Sequence, residues 1–172
     1  MSNTIYTIGH SNHSPEKFLG LLKEAKIELL VDVRSRPYSR WAPYANPGDL
    51  KSMLEAASIG YLFLGKELGG RPLDPDCYDS QTGKPDYQAM QNRAAFRQGL
   101  DRLMEEMKRH RVCIMCAEED PSACHRNFLV ADALRRHGVE ILHIRGTGQI
   151  QTDDDLHKKK AKVGTNQLEL PL

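Results

Sequence analysis

Glu28-Leu29-Leu30-Val31-Asp32-Val33 and Arg111-Val112-Cys113-Ile114-Met115-Cys116-Ala117 are the stretches that decide the fold. Both are short, nearly continuous apolar runs with neither helical nor alternating spacing. That pattern marks strands buried on both faces, as in a parallel sheet covered by helices. Working outward, Thr4 to Ile8 reads as a first strand ending at Gly9, Tyr61 to Leu64 as a third and Val139 to Ile144 as a fifth. Helical patterns lie between them. Ser14 is placed to cap a helix opened by Pro15 and Glu16, with Phe18, Leu19, Leu21, Leu22 and Ala25 at helical spacing. Asp49 is expected to cap a short helix through Ala57. Tyr87 to Arg109 reads as one long helix, and Asp120 to His137 as another that stops at Gly138. The alternation predicts a three-layer α/β/α domain over residues 1–146, with a mostly parallel sheet of about five strands. Beyond it, the blocks Asp153–Asp155 and Lys158–Lys160 predict a charged, flexible tail over residues 147–172.

Composition excludes several classes. The chain has 172 residues, 24 Lys+Arg against 23 Asp+Glu, and a formal net charge of +1. A charge so near balance argues against coating nucleic acid by electrostatics alone. No apolar run approaches the roughly 20 residues of a spanning helix, and no secretory signal is visible, so no membrane partner is expected and a cytoplasmic location is. Four cysteines in 172 residues do not make a disulfide scaffold. Neither a cofactor nor an oligomeric state is named by the sequence.

Ligands of open α/β sheets bind beyond the carboxyl ends of the strands. Those ends deliver His10 and Ser11, Asp32 and Arg34, the Gly-rich segment with Glu67, Gly69, Gly70 and Arg71, then Cys116 and Glu118, and finally Arg145. The densest constellation is Cys116-Ala117-Glu118-Glu119-Asp120-Pro121-Ser122-Ala123-Cys124-His125-Arg126. With Asp120 as cap, Cys124, His125 and Arg126 are expected in the first turns of a helix, a setting that favours thiolate. The acidic trio Glu118 to Asp120 opposes this and makes a poor phosphate cradle. The metal alternative needs Cys116, Cys124, His125 and His10 to converge from separate loops, because Cys113 and Cys116 face opposite sides of a strand. No metal ligand is assigned on that basis. Cys113 reads as a core residue and Cys77 as a loop residue. A second constellation interleaves Arg34, Arg36 and Arg40 with Tyr38, Trp41 and Tyr44, a composition suited to phosphate pairing and base stacking.

Four motifs together resemble the bacterial family catalogued as domain of unknown function 488. They are Thr7-Ile-Gly-His-Ser11, Asp32-Val-Arg34-x-x-Pro37-x-Ser39, Leu64-Gly65-x-x-Leu68-Gly69-Gly70 and Cys116-Ala-Glu-x-x-Pro-x-x-Cys124-His-Arg126. The resemblance spans residues 4 to 146 and implies an α/β fold without implying a reaction. A weaker likeness is to rhodanese-type sulfurtransferases, through Asp32-x-Arg34 and a cysteine, Cys116, ending a strand. Here the following loop is acidic, with nine residues between Cys116 and Arg126, so the compact anion-cradling loop of that family is absent. The terminal Gln167-Leu168-Glu169-Leu170-Pro171-Leu172 is similar to the peptide by which bacterial polymerases and repair proteins dock on the sliding clamp. Gln167, Leu168, Leu170 and Leu172 are its candidate contacts.

The leading expectation is therefore an enzyme acting on nucleic acid or nucleotides, tethered through its tail to the DNA sliding clamp. His10, Asp32 and Glu118 are the acid–base candidates, and Cys116 or Cys124 the nucleophile. Ser11, Arg34, Arg36, Arg71, His125 and Arg126 are expected to bind substrate, with Tyr38 and Trp41 stacking on bases. The alternatives are a sulfur- or thiol-transferase using Cys116, and a non-catalytic ligand- or nucleic-acid-binding adaptor.

Overall fold

The computed structural model describes residues 3–166. Its strands are β1 (Thr4–Gly9), β2 (Leu29–Asp32), β3 (Gly60–Phe63), β4 (Val112–Cys116), β5 (Glu140–Ile144) and β6 (Ile150–Thr152). They form one sheet in the order β3-β2-β4-β1-β5-β6. The first five are parallel and β6 runs antiparallel on β5. The helices are α1 (Pro15–Glu24), α2 (Pro47–Ala56), α3 (Gly65–Leu68), α4 (Tyr87–Asn92), α5 (Ala94–Met107), α6 (Asp132–Arg136) and α7 (Asp153–Asn166). The three-layer α/β architecture read from the sequence is the one observed. Among the described residues, no helix is long and apolar enough to cross a membrane.

Strand periodicity sorts the core into two faces. Leu30, Cys113 and Met115 join Phe18 and Leu22 of α1 and Leu50 and Leu54 of α2 on one side. Val31, Ile114 and Ile141 join Leu68, Phe96, Leu103 and Leu134 on the other. Cys113 is buried as expected, and burial raises its thiol pKa.

Local signals fail where tertiary packing outweighs them. The long helix expected over Tyr87–Arg109 breaks at Arg93, which is extended (φ −68°, ψ 140°). Gln91 of α4 donates to Leu129 O and Asp132 Oδ2 at 3.0 Å each, while α5 packs on α3; a straight helix cannot meet both neighbours. The helix before Ala57 begins at Pro47, with Asn46 at its cap and Asp49 inside the first turn. Asp120 caps only a 3₁₀ turn, Pro121–Ala123, by accepting from Ser122 N. Cys124 is then extended, and helix resumes as a π-helical turn, Arg126–Ala131, leading into α6. Cys124 and His125 are therefore not within a helix's first turns.

Regular structure also runs on past residue 146, into the segment expected as a flexible tail. Asp153 opens α7, where acidic residues favour the positive end of a helix. It is tied to α6 by Arg135 and to β5 by His143, whose Nε2 donates to Asp153 Oδ1 at 3.3 Å. His143 Nδ1 in turn accepts from Thr7 Oγ1 at 2.8 Å. The peptide Gln167–Leu172 lies outside the described residues.

Two consequences can be measured. A methyl group on Gly9 would lie 1.7 Å from the carbonyl oxygen of Glu118, because the chain leaving β4 lies directly on β1. Gly9→Ala is expected to lower stability by about 1–3 kcal/mol or more, read as the urea midpoint. Burial holds the pKa of His143 at about 4, below its ordinary 6.5, despite the opposing bond to Asp153. The folded state thus binds fewer protons than the unfolded chain between those values. The contribution of neutral His143 is complete above pH 6.5 and is lost as pH falls towards 4, by at most about 3 kcal/mol. His143→Gln should flatten the stability profile across that window in urea titrations at stepped pH.

Candidate functional site

β4 and β1 are neighbours whose chains depart in opposite directions. β1 connects through α1, on one face, to β2; β4 connects through the π-helical turn and α6, on the other face, to β5. Adjacent strands with divergent connections make the crevice where ligands bind in such sheets. Here the two strand ends remain laced together. His10 N donates to Cys116 O at 3.0 Å and Ser11 N to Ala117 O at 2.8 Å.

Cys116 is the last residue of β4, and the two-residue period places it with Val112 and Ile114, facing the helix that follows. That helix brings Arg126 underneath it. Arg126 is fully buried, and its Nη1 lies 2.9 Å from Cys116 Sγ. Its remaining acceptors are Thr7 Oγ1 at 3.1 Å, Glu119 O at 2.8 Å and Glu118 O. None of these oxygens carries a charge. Burial lowers the guanidinium pKa to about 10, which leaves it a cation at neutral pH. A buried, uncompensated cation costs several kcal/mol. The ionisable side chain bonded to it is that of Cys116.

Cys124 meets Cys116 sulfur to sulfur, although their Cα atoms stand 7.7 Å apart, beyond the span of an ordinary disulfide. Glu118 Oε2 lies 3.3 Å from each sulfur. His125 donates from Nε2 to Val33 O at 2.9 Å, which leaves the lone pair of Nδ1 turned to Cys124 Sγ at 3.9 Å. Burial lowers the His125 pKa, against the carbonyl bond, so the ring is neutral. The ring packs on Gly70, where a methyl group would come within 2.8 Å of it.

These groups border a cleft of about 370 Å³. Cys116 and Glu118 reach it from β4, His125 from the following loop, and Arg36 and Arg71 from the two loops opposite. Arg34 also borders it, but its guanidinium is spent on Asp32: Nε to Oδ1 at 2.9 Å and Nη2 to Oδ2 at 2.8 Å. Asp32 further accepts from Tyr61 Oη at 2.8 Å and from Arg34 N at 3.1 Å. Such a saturated, fully buried carboxylate braces the loop after β2 rather than presenting a free oxygen to a proton.

The structure thus gathers Cys116, Glu118, Cys124, His125, Arg126, Arg36 and Arg71 around one cleft. Apart from Arg34, whose guanidinium is spent on Asp32, it does not bring the other candidates there. His10 is buried beside it, with Nδ1 donating to Ser11 O at 2.9 Å and, among the described residues, no hydrogen-bond partner at Nε2. Ser11 turns back to Asn12. Tyr38 and Trp41 stand out in solvent, 76% and 89% exposed. Arg126 is fully buried beneath the cysteine and does not line the cleft. Sequence reasoning overlooked the chain that supports it: Arg126 Nε to Thr7 Oγ1, Thr7 to His143, and His143 to Asp153. The available signal was His143 itself, an ionisable residue in the middle of an apolar strand.

Cys116, Glu118 and Cys124 hold donor atoms within 4.8 Å of one another, close enough for a single metal ion. The guanidinium at 2.9 Å from Cys116 Sγ places a fixed positive charge against one of those donors, so the set fits a divalent cation poorly. Neither His10 nor His125 belongs to that group.

No curated protein matches this chain, and no solved structure does. The model of the family described as domain of unknown function DUF488 matches residues 14–142. That match includes the loop after β2, both cysteines of the cleft and the buried arginine, and the chain belongs to this family.

Proposed function

We propose that this protein is an enzyme whose nucleophile is the Cys116 thiolate, acting on a small anionic substrate in a reaction of the sulfur- or thiol-transfer class. The observation that carries this reading is the pairing of Cys116 with buried Arg126. A thiolate held against a fixed cation at a crevice between diverging strands is an activated nucleophile in the place where such folds bind ligands. Arg36 and Arg71 on the opposite wall give the cleft the sign that suits an anion. Glu118, within reach of both sulfurs, can accept and return a proton.

A second reading keeps nucleic acid as the partner. It is favoured by the exposure of Trp41 and Tyr38 on a loop that also exposes Arg36 and Arg40. Aromatics left in solvent beside cations suit stacking on single-stranded bases. The terminal peptide from Gln167 remains a clamp-docking segment on the strength of its sequence.

Two measurements test these readings. Arg126→Gln is expected to slow alkylation of Cys116 by iodoacetamide about tenfold near pH 7, followed by peptide mass spectrometry. An unchanged rate would remove the guanidinium as the activating group. Trp41→Ala combined with Tyr38→Ala is expected to weaken binding to a single-stranded oligonucleotide about tenfold or more, since each stacked base contributes about 1–3 kcal/mol. Equal anisotropy titrations for both proteins would remove nucleic acid from the account.

A further inference from the structure

The two cysteines differ in access and in company. Cys116 borders the cleft and rests on Arg126. Cys124 is almost completely buried behind it and is not part of the cleft lining, yet its sulfur touches that of Cys116. Around Cys124 are two proton acceptors, the neutral Nδ1 of His125 at 3.9 Å and Oε2 of Glu118 at 3.3 Å. Arg126 N approaches its sulfur at 3.5 Å. One sulfur thus borders the cleft and rests on a guanidinium, and the other is enclosed and in contact with the first.

We infer that Cys116 and Cys124 form a two-electron dithiol centre that reduces a hydroperoxide, with Cys116 as the attacking and Cys124 as the resolving cysteine. This rests on the reading of Cys116 as nucleophile. The Cys116 thiolate attacks one peroxide oxygen and the O–O bond breaks. Cys116 becomes a sulfenic acid, and the second oxygen leaves as hydroxide, or as alkoxide from an alkyl hydroperoxide, and is protonated. Cys124 then attacks Cys116 Sγ, forming the S–S bond and breaking the S–O bond. Its proton passes by way of Glu118 to the departing hydroxide, giving water. One passage through these steps oxidises two thiols to one disulfide and reduces one peroxide, and an external dithiol returns the centre to its reduced form. A small oxidant suits a sulfur that borders the cleft while its residue is otherwise fully covered. Because the Cα atoms stand 7.7 Å apart, closing the bond requires residues 117–123 to draw in, and that loop contains only one 3₁₀ turn.

The test treats reduced full-length protein with one equivalent of hydrogen peroxide at pH 7 and reads intact and peptide masses. The wild type is expected to lose two hydrogens, to yield a linked Cys116–Cys124 peptide, and to recover both thiols with dithiothreitol. Cys124→Ser is expected to stop at a Cys116 sulfenic acid that dimedone captures. Cys116→Ser should remain unoxidised, and buried Cys77 and Cys113 should react about tenfold more slowly or less in every protein. Circular dichroism melting confirms that each variant is folded. If the wild type accumulates Cys116 sulfenic or sulfinic acid without the linked peptide, the resolving role is overturned while the nucleophile stands. If folded Cys124→Ser yields no adduct at Cys116, the nucleophile itself fails. Unreactive thiols with one equivalent of bound zinc would overturn both in favour of a metal centre.

Discussion

A buried guanidinium bonded to no carboxylate among the described residues is the constraint on which the rest of this site depends. Arg126 is fully buried, and four groups on two separate stretches of chain are arranged to hold it: Thr7 on β1, and Cys116 at the end of β4 with the carbonyls of Glu118 and Glu119 just after it. Each holds the arginine, and the arginine holds each of them. The loop after β4 cannot relax away from β1 without stranding a buried charge, and Gly9 supplies the close approach that lets it lie there. In the proposed function the same charge is what activates the cysteine above it. One electrostatic requirement therefore ties strand packing and loop course together.

A second ion pair does a different job. Asp32 and Arg34 satisfy one another almost completely, and Arg34 also reaches Ala45 O at 2.6 Å. The loop after β2 is pinned at its root while its outer part carries Arg36, Tyr38, Arg40 and Trp41 into solvent. A rigid base with exposed cationic and aromatic groups separates the floor of the cleft from its rim.

The sheet was legible because buried parallel strands write themselves as apolar runs. Residues 28–33 and 111–117 could be little else, and the rim of functional groups followed from the rule that ligands lie beyond strand ends. What was not legible depended on partners distant in sequence. Asp32 looks like a free acid until Tyr61 and Arg34 are seen to saturate it. Arg126 reads as an anion ligand in the sequence, and only the fold shows that it is fully buried with its Nη1 on Cys116. The strand Ile150–Thr152 has three residues and no apolar pattern, and it exists because the edge of β5 offers it a ladder. Arg93 interrupts a helix whose local sequence gives no reason to stop.

The π-helical turn Arg126–Ala131 acts as a phase adjuster. A wider turn fits in a residue more than an α-helix would, and each residue of α-helix advances the side chains by about 100° around the axis. Deleting one residue there would let the segment relax to α-helix while α6 kept its packing. Arg126 would then swing away from the sheet, and Cys116 would lose its guanidinium partner though no residue of the cleft had been altered. The setting of the cysteine thus depends on the winding of a helix as much as on the groups that touch it.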